Sequence, residues 1–161
     1  MPSPETCATA ANIVNDVLHH GHSLDSTAVK RLKLQPAQNH SEIREIAWGS
    51  VRWAYRYRRL LQQKLHKPIR SQDTILENLL LCAFYQYEHL NAPDYAITSG
   101  AVEAANLLGR GHAKNLVNGV LRAHLRDPAF ITAEQEEAQY ATPMWLLSCL
   151  REAWPDDWKD I

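Results

Sequence analysis

The chain has 161 residues, of which 45% are hydrophobic and 22% are charged, and its formal net charge is −1. A chain of this length buries roughly two thirds of its unfolded surface, which is enough for one ordinary globular core. The balanced charge argues against a disordered tail and against a protein that binds polyanions over its whole surface. Any nucleic-acid site must therefore be local.

Hydropathy and cysteine content further narrow the classes of protein to which the chain can belong. The longest strictly apolar run, residues 79–84, is far shorter than the ~20 residues that span a bilayer, and the N-terminus lacks a signal-peptide pattern. We therefore expect no contact with a membrane and a cytoplasmic location. Cys7, Cys82 and Cys149 each lie in an apolar helical pattern, so we expect buried thiols rather than disulfides or metal ligands.

Helical periodicity begins close to the N-terminus. Ser3 and Pro4 are a good helix start, and the pattern that follows them ends at Gly21. A weaker pattern that ends at Pro36 predicts a short second helix. The apolar spacing from Asn39 to Pro68 predicts the longest helix of the chain.

The second half of the chain is also helical in pattern. A wide apolar stripe over residues 75–87 predicts a central, enclosed helix. Further patterns start at Asp94, at about Leu116 and after Thr142, and no stretch alternates with the period of two that is typical of strands. The sequence therefore predicts an all-α bundle of about six to seven helices. We interpret Gly119, within one of them, as a site where helices approach closely.

Positive charge is concentrated in residues 44–70. This segment has eight basic residues against a single acid, which makes it net +7 and leaves −8 for the rest of the chain. On one continuous helix Arg52, Arg56 and Arg59 would share a solvent face. The rings of Trp48 and Tyr55 would lie close to it. Cations beside flat rings suit the phosphates and unpaired bases of single-stranded RNA. The alternative is a basic helix face that is merely solvated.

The other polar clusters do not indicate a catalytic or metal site. The histidines at 19, 20 and 22 surround a helix end, where the helix dipole alone favours cations. The eight acids from Asp127 onward predict a solvated surface or a docking face. The sequence contains no glycine-rich nucleotide loop and no G-x-S-x-G, H-E-x-x-H or C-x-x-C motif. We therefore expect no catalytic residue, no metal and no cofactor in this chain.

One string of residues carries a specific family resemblance. Residues 114–122, KNLVNGVLR, resemble the K-x-L-V-N-G-V-L-R signature of the NusB-like domain in Sun/RsmB-type ribosomal RNA cytosine-C5 methyltransferases. Residues 93–108 are similar to that family's proline-led helix, residues 45–70 to its basic, aromatic helix, and residues 140–161 to its Y-x-x-P-x-W-L-L segment. The similarity covers most of the chain after residue 40.

The resemblance implies an accessory domain of an enzyme. Residues 1–128 would form a NusB-like RNA-binding domain, and residues 129–161 a linker and first helix leading toward a methyltransferase domain absent from this chain. The implied partners are small-subunit ribosomal RNA and that downstream domain, which would bind S-adenosylmethionine. The family's two catalytic cysteines have no counterpart here, and Cys149 lacks the cationic neighbours of a nucleophile.

Charge and resemblance together select eight cations as RNA-binding candidates. They are Arg52, Arg56, Arg58, Arg59, Lys64, Arg70, Lys114 and Arg122. Lys114 and Arg122 lie within about 80° of each other on an α-helix, so both can contribute to one RNA face. We interpret Asn118 in the signature as a structural hydrogen-bonding residue in preference to an RNA reader.

Two alternative functions stay open. A stand-alone NusB-like antitermination factor would bind RNA and a ribosomal protein, but such factors begin with arginines where this chain has residues 6–9, TCAT, and end before the segment of Trp145. Both differences favour the methyltransferase. A helical docking module would instead bind an acidic protein through the arginine-rich helix, without RNA and without a preference for unpaired bases.

Overall fold

The computed structural model describes residues 2–128 and 130–161. Over these residues the chain forms α-helices joined by short 3₁₀ turns and no strand, which confirms the all-α prediction. The helices number nine in the described ranges, more than predicted. They are α1 Pro4–Leu18, α2 Leu24–Leu32, α3 His40–Arg52, α4 Ala54–Lys64, α5 Thr74–His89, α6 Asp94–Leu107, α7 Lys114–Arg126, α8 Glu136–Gln139 and α9 Met144–Ala153.

The prediction of one long helix from Asn39 to Pro68 is wrong, because the chain breaks between α3 and α4. Trp53, at the break, has φ −97° and ψ 13°, and its N–H is shared between the carbonyls of Gly49 and Val51. The two halves share α5 as a neighbour but otherwise pack on different helices, α3 on α1 and α4 on α7 and α8. Arg52 and Arg56 therefore do not lie on one continuous helix.

The predicted central helix is confirmed as α5. It packs against α1, α3, α4, α6 and α7, and Leu79, Leu80, Leu81 and Phe84 are fully enclosed. No described helix is both long and apolar enough to span a lipid bilayer. Helix α5 thus provides the support on which the surface helices α4 and α7 are positioned.

Two predictions made from the sequence are wrong, namely the close helix packing at Gly119 and the burial of Cys149. An added Cβ at Gly119 would meet nothing within 4 Å, so this glycine does not mediate close helix packing. The close approach is at Gly49, where an added Cβ would lie 2.0 Å from Cε2 of Tyr85. Cys149 is exposed, because α9 buries only Leu147.

His124 on α7 is a buried titratable group without a partner for its Nδ1 atom among the described residues. Its ring centroid lies 4.5 Å from that of Phe84. Burial lowers the pKa of His124 below its ordinary value of 6.5, while Glu88 raises it and Lys64 lowers it. The folded protein therefore takes up this proton only at a lower pH than the unfolded chain does.

His124→Phe is expected to reduce the pH dependence of stability. Below pH 6.5 the unfolded chain binds a proton that the folded chain excludes, so the free energy of unfolding falls as the pH is lowered. Burial also lowers the pKa of His19, so a smaller slope persists in the variant. Urea denaturation from neutral to mildly acidic pH measures the slope, with the exposed His66→Gln as control. Equal slopes in wild type and His124→Phe would contradict this assignment.

Candidate nucleic-acid interface

Two of the predicted cations on α4 are bound to α5. Nη2 of Arg56 lies 3.2 Å from Oε1 of Glu88, and Nε of Arg58 lies 2.7 Å from Oε1 of Glu77. Both guanidinium groups are only about one-third exposed. Arg56 and Arg58 therefore hold the two helices together, and their charge is largely compensated within the fold.

Two more predicted cations hold the C-terminal segment. With the Gln135 amide oriented so that its oxygen accepts, Arg59 donates to it from Nη2 at 3.0 Å and from Nε at 3.2 Å. Lys64 Nζ lies 3.2 Å from Oδ2 of Asp127, and Gln63 Nε2 donates to the carbonyl of Phe130 at 2.8 Å. The acidic C-terminal segment thus covers this side of α4, whereas Arg52 is exposed with no ion pair to a described residue.

A basic groove of about 780 Å³ lies between the α4–α5 connection and α7. We call it the α4–α7 groove. Four cationic side chains line it, namely Lys64, Lys67, Arg70 and Arg126. Asp73 is the acid that also lines it, and this carboxylate is 2.9 Å from Nε of Arg110 and so already neutralised. The side chains that line the groove therefore carry a net positive charge, although the chain as a whole is slightly acidic.

The floor of the α4–α7 groove is apolar. Leu65 and Ile69 contribute from one side, and Leu116 and Val120 from α7. Leu116 is 42% exposed, so part of its surface is available to a ligand. Gly119 lies between these α7 side chains, and the empty space beside it keeps the groove open.

The α4–α7 groove combines uncompensated cations with flat apolar surface. Lys67, Arg70 and Arg126 form no ion pair with any described residue and are exposed. His112, just before α7, adds a ring at one end of the groove. Cations attract phosphates without regard to sequence, and unpaired bases stack on apolar or aromatic surface. This arrangement is suited to a single-stranded stretch of a nucleic acid.

A second groove, of about 580 Å³, lies between α6 and α7. We call it the α6–α7 groove. It contains the predicted Lys114 and Arg122, and Lys114 Nζ is paired with Oε1 of Glu103 at 3.3 Å. Asn118 also lines it, and its side chain has no hydrogen-bond partner among the described residues. The structural hydrogen bond that the sequence suggested for Asn118 is thus not formed with any described residue.

The eight predicted cations do not form one face. Lys64 and Arg70 meet at the α4–α7 groove, and Lys114 and Arg122 at the α6–α7 groove. The choice of candidate cations from the sequence missed Arg126. This residue shares one stripe of α7 with Leu116, Gly119 and Ala123, which recur at helical spacing. That choice also left out Lys67, which was counted only in the total charge of residues 44–70.

The cysteines and histidines do not form a catalytic or metal site. Burial raises the pKa of Cys7 to about 11 and that of Cys82 to about 12, so both thiols stay protonated and are poor nucleophiles. Among residues 2–128 and 130–161, no three His, Cys, Asp or Glu side chains are grouped closely enough to hold a metal ion.

The chain is similar in sequence to known methyltransferases. The chain is 34% identical over 159 residues to the probable ribosomal RNA small subunit methyltransferase B of Coxiella burnetii, with 97% of this chain and 36% of that protein aligned. It is 27% identical over 157 residues to the ribosomal RNA small subunit methyltransferase B of Vibrio vulnificus, with 96% and 37% aligned. The Pseudomonas syringae enzyme of the same name is 32% identical over 155 residues, with 94% and 35% aligned.

The chain thus spans little more than a third of the length of these relatives, and it matches their N-terminal region. The sequence model of the NusB family matches residues 4–126, from the start of α1 to the end of α7. Both grooves are lined mainly by side chains within this matched range. Because the match covers most of the chain and all of the helices around the two grooves, the chain belongs to the NusB family.

Proposed function

We propose that this chain is the RNA-binding domain of a methyltransferase that modifies C5 of a cytosine in small-subunit ribosomal RNA. In this proposal the domain acts in the cytoplasm and positions the RNA for a catalytic domain outside these residues. The observation that carries the proposal is the α4–α7 groove, where unpaired cations surround an apolar floor. The names of the relatives supply the class of RNA.

S-adenosylmethionine is assigned to the catalytic domain in this proposal. Nucleotide cofactors of this kind are held by a glycine-rich turn between a strand and a helix. The described residues form helices and no strand, so they do not offer such a turn. In this proposal the chain binds and orients the RNA, and the chemical steps are assigned to the catalytic domain.

The test is to neutralise the free cations of the α4–α7 groove together, as Lys67→Gln, Arg70→Gln and Arg126→Gln. Each phosphate contact on a single strand contributes about 0.7 to the slope of log affinity against log salt, so three lost contacts lower the slope by about two. Affinity at low salt is expected to fall at least about tenfold. Fluorescence anisotropy measures both quantities with a small-subunit ribosomal RNA hairpin that has an unpaired loop.

A matched control removes the same charge elsewhere. Lys30, Lys33 and Arg44 are exposed on α2, at its end and on α3, and they form no ion pair with a described residue. Changing these three to Gln is expected to leave the salt slope unchanged. An equal loss in both triple variants would mean that the groove is not the site. Absence of RNA binding by the folded wild-type chain would instead favour the protein-docking alternative.

A further inference from the structure

Four polar side chains converge on the α6–α7 groove without a partner inside the protein. They are Tyr95 from α6 and Asn115, Asn118 and Arg122 from α7. None of the four side chains forms a hydrogen bond or an ion pair with another described residue. Tyr95 is 76% exposed, so this large aromatic residue contacts little of the fold.

The helical spacing places these groups opposite one another. Asn115, Asn118 and Arg122 follow the i, i+3, i+7 spacing of one stripe of α7. Tyr95 and Ser99, four residues apart, form the facing stripe of α6. Helices α6 and α7 pack directly against each other, so the two stripes form the walls of one shallow groove.

The chemistry of the α6–α7 groove differs from that of the α4–α7 groove. Lys114 is neutralised by Glu103, which leaves Arg122 as the uncompensated cation lining this groove. The two side-chain amides each present a donor beside an acceptor, the pattern that hydrogen-bonds the edge of an unpaired base. An exposed tyrosine ring offers a stacking surface for the same base. This surface is suited to base recognition more than to general attraction of phosphates.

The two grooves are adjacent, because Asn115 lines both of them. A single strand that lies in the α4–α7 groove would cross α7 near Asn115 and enter the α6–α7 groove. We propose that the α6–α7 groove is a base-recognition subsite, in which one unpaired base of the bound RNA stacks on Tyr95 and hydrogen-bonds to Asn118. This inference rests on the proposed function, since the phosphate contacts of the same strand are assigned to the α4–α7 groove.

The test uses single-stranded oligoribonucleotides of small-subunit ribosomal RNA sequence, each with 2-aminopurine at a different position. Stacking quenches the fluorescence of 2-aminopurine, so we expect strong quenching on binding at one position. Tyr95→Leu is expected to abolish that quenching and to weaken binding about five- to hundredfold. The salt slope of Tyr95→Leu should match that of the wild type, because the cations of the α4–α7 groove are unchanged.

Tyr55→Leu is the matched control, because Tyr55 is 38% exposed on α4, away from both grooves. This variant is expected to keep both the quenching and the affinity. Quenching at that position that persists in Tyr95→Leu, or that is lost equally in Tyr55→Leu, would overturn the subsite while RNA binding itself stands. A wild-type chain without salt-dependent binding would overturn the proposed function, and the subsite with it.

Discussion

Gly49→Ala is expected to lower the free energy of unfolding by about 3 kcal/mol, at the upper end for overpacking of a core. The added Cβ would lie 2.0 Å from Cε2 and 2.1 Å from Cζ of Tyr85, far inside van der Waals contact. Tyr85 is only 7% exposed, so its ring has little space into which it can move. Displacing the ring also breaks the hydrogen bond that its hydroxyl donates to Glu45. Urea denaturation followed by circular dichroism measures the loss.

Gly119→Ala is the control, because the same chemical change is expected to alter stability in the opposite direction. Gly119 is exposed in the interior of α7, and an added Cβ there meets nothing within 4 Å. Alanine is the better helix former, so this variant is expected to gain about 0.5–1 kcal/mol. A gain in stability for Gly49→Ala, like that expected for Gly119→Ala, would contradict the close approach of α3 and α5 at Gly49.

The contrast between these two glycines shows what sequence periodicity predicts and what it does not. The spacing of apolar residues reflects the geometry of a single helix. The all-α fold and the central position of α5 could therefore be predicted from it. Whether a glycine touches a neighbour depends on which helix lies beside it. The break at Trp53 is of the same kind. No proline or glycine occupies that position to mark it, and α3 and α4, which share α5, otherwise pack on different helices.

The candidate site was only partly predictable for the same reason. The charge count located the basic segment that provides Lys64 and Arg70 to the α4–α7 groove. It did not show that Arg56 and Arg58 are neutralised, because their partners Glu88 and Glu77 are 32 and 19 residues away in the chain. Ion pairs between helices follow from the fold, so a count along the sequence overestimates the charge that is free to bind RNA.

Phe84→Ala is expected to be the most destabilising of the changes considered, with a loss of about 4 kcal/mol. Phe84 is fully enclosed on α5, and its ring centroid lies 6.3 Å from that of Tyr57 and 4.5 Å from that of His124. The truncation leaves a cavity where α4, α5 and α7 meet. In a chain of this size the melting temperature should fall by roughly 8–16 °C. Differential scanning calorimetry measures the shift.

The same cavity is expected to change the pH dependence of stability. It opens beside the ring of His124, whose Nδ1 has no described partner, and water in the cavity would hydrate the imidazolium form. The pKa of His124 then returns toward its ordinary value, so the slope of stability against pH becomes smaller than in the wild type. Phe84→Leu fills most of the space and should cost less than about 1.5 kcal/mol while keeping the wild-type slope. Equal slopes in the Ala and Leu variants would show that exclusion of water by Phe84 does not set the pKa of His124.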